Sequence, residues 1–125
     1  MKKILLLILL VALIDVSARY NLVKLDGMSG EIWNVFLTED TEYSAGYSHF
    51  AFAKVTVGMS RKEVENMLGK PLVVWKPYKY SNYRSKKHFI GYEYSRSPTS
   101  THYRLRQVYF DRDKVVDVIN YFYID

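Results

Sequence analysis

Val57-Gly58-Met59-Ser60-Arg61-Lys62-Glu63-Val64-Glu65-Asn66-Met67-Leu68-Gly69-Lys70-Pro71 specifies one short helix at both ends. Ser60 is a good N-cap, because its hydroxyl can accept from a first-turn N–H that has no partner within the helix. Glu63, three residues on, can reach back to the Ser60 N–H and complete a capping box, and Met59 and Val64 have the spacing of a hydrophobic staple. Val64, Met67 and Leu68 share one face. Gly69 suits the left-handed position after the last turn, and Pro71 forbids continuation. The spacing therefore predicts a helix from Ser60 to Leu68. Arg61 and Lys62 are discordant, since cations in the first turn oppose the helix dipole by about a few tenths of a kcal/mol.

Downstream of this helix the chain reads as strands that pack on it. Leu72-Val73-Val74-Trp75 is a short apolar strand candidate ended by Pro77. Residues 76–87 show no periodicity and read as an exposed loop. His88 to Tyr94 resumes as a strand with Ile90, Tyr92 and Tyr94 on one face, and Ser95 to Thr101, containing Pro98, is a connecting loop. In His102 to Asp111 the facing slips: Tyr103 and Leu105 lie on one side, Val108 and Phe110 on the other. A β-bulge near Arg106-Gln107 would reconcile them. Asp111 to Lys114 reads as a tight turn, and Val115 to Tyr123 as a last strand, apolar in places on both faces and so heavily covered.

Upstream, Arg19 to Leu25 alternates loosely in strand fashion, Asp26-Gly27-Met28-Ser29-Gly30 reads as a turn, and Glu31 to Leu37 as the returning strand of a hairpin. Thr38 to Ser44 is a loop carrying Glu39, Asp40 and Glu42. Tyr47 to Lys54 can form about two helical turns. The N-terminus is a different kind of sequence. Met1-Lys2-Lys3 is basic, Ile4 to Ile14 is unbroken apolar, and Val16-Ser17-Ala18 fits the small-residue rule of signal peptidase. As a helix that apolar run spans only about 16 Å, short of the roughly 30 Å of a bilayer's hydrocarbon. The expectation is an exported protein cleaved after Ala18, with retention of the segment as an anchor the alternative.

The 125 residues suffice for one folded domain, and twelve tyrosines contribute to an aromatic fraction ample for a small core. A net charge of +5 is spread along the chain, which implies a mildly basic surface more than a dedicated polyanion binder. The absence of cysteine excludes disulfides, thiol catalysis and cysteine-ligated metals. The organisation expected is a signal peptide (1–18), an N-terminal hairpin with its acidic loop (19–45), and a helix–sheet domain (46–125). The fold class is α+β, with two short helices packed on an antiparallel three-stranded meander and an additional N-terminal β-hairpin.

Ala53-Lys54-Val55-Thr56-Val57-Gly58-Met59-Ser60, then Val64, then Leu68-Gly69-Lys70-Pro71, Trp75, and later Val108-Tyr109-Phe110-Asp111 with Val115-Val116 resemble the SmpA/OmlA family, which includes the BamE subunit of the outer-membrane β-barrel assembly machinery. The resemblance covers roughly residues 50–120. It implies two helices followed by a three-stranded antiparallel sheet, in an envelope protein that works by binding. Family lipoproteins carry a lipidated cysteine after the signal; this chain has none, so no lipid anchor is expected. A similar glycine-methionine-hydroxyl helix start is seen in secreted β-lactamase-inhibitory proteins.

Signatures of chemistry are sparse. His49, His88 and His102 are widely spaced singletons without metal-ligand spacing. Ser29 lacks the trailing glycine of a nucleophile elbow; turn formation accounts for Asp111 and Asp113, and a calcium loop including Asp117 would need further ligands that Arg112 and Lys114 do not supply. No catalytic residue, cofactor or metal is expected. The candidate contact surface comprises Arg61, Lys62, Trp75 and the basic, tyrosine-rich loop with Lys76, Tyr78, Lys79, Tyr80, Tyr83, Arg84, Lys86 and Lys87. Such a loop suits another envelope protein or anionic lipid head groups, and export argues against nucleic acid. Gly58, Met59, Ser60, Glu63, Val64, Leu68, Gly69 and Pro71 are assigned to the fold. The function expected is a non-catalytic binding or scaffold module of the cell envelope, in outer-membrane protein assembly or envelope integrity. The alternative is a secreted inhibitor-like protein that binds an enzyme through its sheet face, anchored by Tyr92, Tyr94, Tyr103 and Tyr109.

Overall fold

The computed structural model describes residues 1–76 and 88–124, with the backbone alone over 17–21. In chain order its elements are α1 (Lys2–Phe36), β1 (Glu42–Tyr43), α2 (His49–Ala53), α3 (Arg61–Leu68), β2 (Val73–Trp75), β3 (Ile90–Glu93), β4 (Ser95–Arg96), β5 (Tyr103–Asp111) and β6 (Lys114–Tyr123). The fold is α+β, and every pairing between strands is antiparallel.

The capped helix forms as its sequence specifies. Ser60 Oγ accepts from the Glu63 N–H at 3.1 Å, and Glu63 Oε2 accepts from the Ser60 N–H at 2.7 Å. Gly69 ends α3 at φ 73°. The discord at Arg61 resolves here: its guanidinium lies 2.9 Å from Asp113 Oδ1, and its N–H donates to the Asp113 carbonyl, also at 2.9 Å. The cation that opposes the helix dipole thus ties α3 to the β5–β6 hairpin. Val64 and Leu68 are fully buried, and Tyr92 and Tyr94 reach across from the sheet to Glu65 Oε1 (2.5 Å) and the Gly69 carbonyl (3.1 Å).

The main sheet has four strands in the order β2-β3-β5-β6, one more than the three-stranded meander expected, because the apolar run at Val73–Trp75 pairs with β3 as an edge strand. A separate two-stranded ribbon joins β1 to β4. The β5–β6 turn is a two-residue hairpin in which Arg112 (φ 50°) and Asp113 (φ 62°) both take positive φ, the combination that matches strand twist. The register irregularity lies between Tyr109 and Phe110, whose partners are Asp117 and Val115. The extra residue is therefore Val116 in β6, and no bulge occurs at Arg106-Gln107. The facing of β5 slips in the sequence for another reason: Arg104, Leu105, Arg106, Val108, Tyr109 and Phe110 are all buried, so both faces of this strand are covered.

The N-terminal hairpin expected at Arg19 to Leu37 is not formed; these residues belong to α1 through Phe36. Its two glycines explain the misreading. Gly27, at φ 75° and ψ 169°, kinks the helix into two arms, a conformation that a glycine accepts without the steric cost of a Cβ. Gly30 is buried where the second arm crosses β6: a Cβ there would lie 2.9 Å from Asp26 Cβ and 3.2 Å from Phe122 Cβ. Leu25 joins the core with Phe52, Val55, Val64, Leu68, Tyr92, Tyr94, Val108, Phe110 and Val115. The acidic loop that follows is fastened at each acid: Glu39 to Arg104 Nε (3.1 Å), Asp40 to the Ser97 and Thr99 hydroxyls, and Glu42 to Arg96 Nε (2.9 Å).

At an exposed helical site Gly→Ala gains up to about 1 kcal/mol, but a methyl forced into a closed contact costs about 1–3 kcal/mol. Gly30→Ala is therefore expected to lower the urea midpoint of unfolding. An unchanged or raised midpoint would mean that the second arm of α1 does not pack on Phe122.

Candidate functional site

The densest polar constellation lies between α1 and β5, built from residues that alternation assigns to one face. Arg104 and Arg106 stand two apart in β5, so both point toward the helices together with Val108 and Phe110. They are 3% and 0% exposed. Opposite them, the side chain of Asp26 is fully enclosed at the kink of α1. Its Oδ2 lies 2.5 Å from Arg104 Nη1 and 2.7 Å from Arg106 Nη2, and its Oδ1 accepts from Arg106 Nη1 at 2.8 Å. Glu31, from the second arm, accepts from Arg104 Nη1 at 2.8 Å. Burial pulls both guanidiniums toward the neutral form. Burial is the largest single influence on each, but the hydrogen bonds (Glu31 and Asp26 for Arg104, Asp26 for Arg106) together with the attraction of the surrounding groups outweigh it, so both stay above the ordinary arginine value.

The network continues outward through aromatic groups. Arg106 Nε donates to Tyr47 Oη at 2.9 Å, and Tyr47 Oη lies 2.9 Å from His49 Nδ1. Which of the Tyr47 hydroxyl and His49 Nδ1 donates in this contact depends on the imidazole tautomer, since the phenol oxygen can accept from Arg106 and still either donate to or accept from the ring. Tyr43 stacks on Tyr47 at 4.5 Å between centroids, and the His49 ring stands edge-on to both. Burial pushes the Tyr47 hydroxyl up to about 12. Burial, and then the Arg106 and Arg104 charges, hold His49 below its ordinary value, with Asp26 and Glu39 pulling the other way. Both Asp26 oxygens are engaged by guanidinium, so the cluster presents no free nucleophile or base. Its chemical work is to fasten α1 to the sheet.

The opposite face of the sheet carries Trp75, whose ring lies over Gly91 and edge-on to Tyr109. Tyr109 Oη donates to Gln107 Oε1 at 3.0 Å, and Gln107 Nε2 to Glu93 Oε1 at 3.2 Å; burial raises the Glu93 carboxyl above its ordinary value. At the end of the β5–β6 hairpin, a crevice lined by His88, Ile90, Phe110, Asp111, Arg112 and Asp113 holds a His88 Nε2–Asp111 Oδ1 contact at 3.3 Å. Among the described residues no three His, Asp or Glu side chains are placed to hold a metal ion.

Arg61 is committed to Asp113, Trp75 is half-buried on the sheet, and Lys62 and Lys76 are exposed. Tyr78, Lys79, Tyr80, Tyr83, Arg84, Lys86 and Lys87 lie outside the described residues. Of the sheet-face anchors, Tyr92, Tyr94 and Tyr109 are core residues at 4%, 0% and 1% exposure, which corrects their reading as exposed; only Tyr103 is partly open. Two features escaped the sequence reading. One is the Asp26–Arg104–Arg106 cluster, whose arginines look like solvent-facing strand positions. The other is a run of exposed apolar residues on the second arm of α1: Met28, Ile32, Trp33, Val35 and Phe36. Its helical spacing was legible, but the glycines on either side of Met28 drew the segment into a hairpin. No protein-family model, curated protein or solved structure matches the chain.

His49 gives the site a pH signature. Because its folded value is depressed, the unfolded chain takes the proton first on acidification, so stability is lost as pH falls through about 6.5. Thermal melts at about pH 7.5 and about pH 5.5 should show a larger loss for the wild type than for His49→Gln, whose amide can still pair with the Tyr47 hydroxyl in either sense but does not titrate. Equal losses in the two proteins would remove His49 from the account.

Proposed function

We propose that the chain is an exported bacterial cell-envelope protein whose SmpA/OmlA-like domain acts as a non-catalytic binding module for another envelope protein. The observation that carries this reading is an abrupt change along one helix. From Ile4 to Val16 the large apolar side chains of α1 are 55–70% exposed, whereas Leu25 and Asp26, on the same arm, are 5% and 7% exposed. A segment whose large apolar side chains stay exposed, preceded by Met1-Lys2-Lys3, suits the translocation machinery and the membrane better than the domain. Among the described residues no helix is long and apolar enough to cross a membrane.

Cleavage after Ala18 would leave the mature chain beginning at Arg19, with Asp26, Gly30 and Glu31 retained for the fold. Two short helices followed by antiparallel strands agree in outline with the arrangement that the resemblance implies, with four strands in the sheet rather than three. The inhibitor-like alternative is weakened by the burial of three of its four tyrosine anchors.

Fractionation of expressing cells with N-terminal sequencing tests the proposal. Recovery from the envelope fraction with Arg19 as first residue is the expected result. Protein retained in the cytosol with Met1 intact would contradict export, and free mature protein in the medium would favour the inhibitor reading.

A further inference from the structure

The second arm of α1 has two faces. Gly30 and Glu31 face the domain, the one against Phe122 and the other on Arg104. On the outer side, Met28, Ile32, Val35 and Phe36 are 64%, 52%, 76% and 75% exposed, and Trp33 beside them is 48% exposed. At about 100° per residue the first four fall within a single stripe, with Gly30 on the opposite side of the helix. Glu31 is the one charged residue between positions 27 and 37, and Arg104 takes it, so the outer stripe carries no charge. A bare apolar stripe of this kind is not an ordinary solvent-facing helix surface.

From this geometry we infer that the second arm of α1, residues 28–36, lies on a lipid bilayer with Met28, Ile32, Val35 and Phe36 in the acyl boundary and Trp33 at the head-group level. Two observations select lipid over a protein partner. The stripe belongs to the same helix as the unbroken apolar run Ile4 to Ile14, whose large side chains are exposed, so a segment suited to the membrane and the stripe share one element. The kink at Gly27 breaks the axis between the arms, so that the second can lie along a surface while the first departs from it. Tryptophan at the margin of an uncharged stripe is the arrangement that bilayer interfaces favour. Asp26 and Glu31 hold the arm to the sheet, so the domain would sit at a fixed orientation on the bilayer, before or after removal of residues 1–18.

The inference rests on the membrane-directed reading of the N-terminal segment, and one experiment separates the two. The chain has no cysteine, so Ile32→Cys, Val35→Cys and, as a control, Val57→Cys (wild-type side chain 68% exposed, in the turn before α3) can each carry a single environment-sensitive nitrobenzoxadiazole dye. All three sites are exposed, so labelling should leave the core intact. The full chain is mixed with vesicles of phosphatidylethanolamine and phosphatidylglycerol, and sedimentation is read alongside emission. The expected result is co-sedimentation, with dye at positions 32 and 35 brightening several-fold and shifting to the blue while dye at 57 changes little. Co-sedimentation with positions 32 and 35 still in water would overturn the seating of the second arm and leave the membrane reading standing, and would be the outcome if the stripe serves a protein partner. Equal shifts at all three positions would also overturn it, since the domain would not be lying on one face. No sedimentation at all would overturn both.

Discussion

Two guanidiniums without water must be matched by anions, and in this protein the matching is done chiefly by one carboxylate. Asp26 contacts both Arg104 and Arg106 within 2.8 Å, and all three side chains are almost fully enclosed. An ion pair of this kind is no guarantee of extra stability, because apolar residues of similar volume often do as well. Removing one partner, however, leaves a buried charge unpaired and costs about 3–5 kcal/mol. The consequence is positional. α1 can dock on the sheet only where Asp26 reaches both arginines and Glu31 reaches Arg104, and Gly30 is placed to let the backbone come that close. Once this contact is set, the acidic loop follows, since Glu39 reaches the free side of Arg104 and Thr41 Oγ1 accepts from the Arg104 N–H at 2.9 Å.

The remainder of the core is organised from the other end of the same sheet. The capping box of α3, the Arg61–Asp113 pair and the Tyr92 and Tyr94 hydroxyl contacts hold that helix over β3 and the β5–β6 hairpin. Phe52 links the two regions: its ring packs near Tyr94 on one side and 5.9 Å from the Arg106 guanidinium on the other. The first arm of α1 beyond this core contributes nothing to it, which is why the apolar residues from Ile4 to Val16 call for an environment outside the domain. The second arm is divided between the two demands, with one side held by the ion cluster and the other side bare.

What the sequence disclosed and what it concealed follow one physical distinction. Ser60, Glu63 and Gly69 act on backbone groups within a few residues, so the α3 boundaries could be read locally. The strands of the meander were legible for the same reason, from alternation and from the Asp111–Lys114 turn. The N-terminal arm was concealed because Gly27 and Gly30 have two uses that composition cannot separate: a hairpin turn, or a kink and a close approach to Phe122. Arg104 and Arg106 were concealed because a charged residue in a strand normally marks the solvent side, and only the distant Asp26 and Glu31 reverse that rule. Their reversal also produced the spurious bulge at Arg106-Gln107, since the arginine side of β5 is in fact the core side. Tyr92, Tyr94 and Tyr109 misled in the opposite sense: on an uncovered face they would be contact residues, and packing makes them interior ones.

One carboxylate fixes the docking of α1 through the buried arginines, and a double-mutant cycle between Asp26→Ala and Arg106→Ala measures that coupling. If the two side chains act as a unit, the double variant will be more stable than the sum of the single losses predicts, by a coupling of about 1–3 kcal/mol. Single losses that simply add, within about 0.5 kcal/mol, would contradict the account.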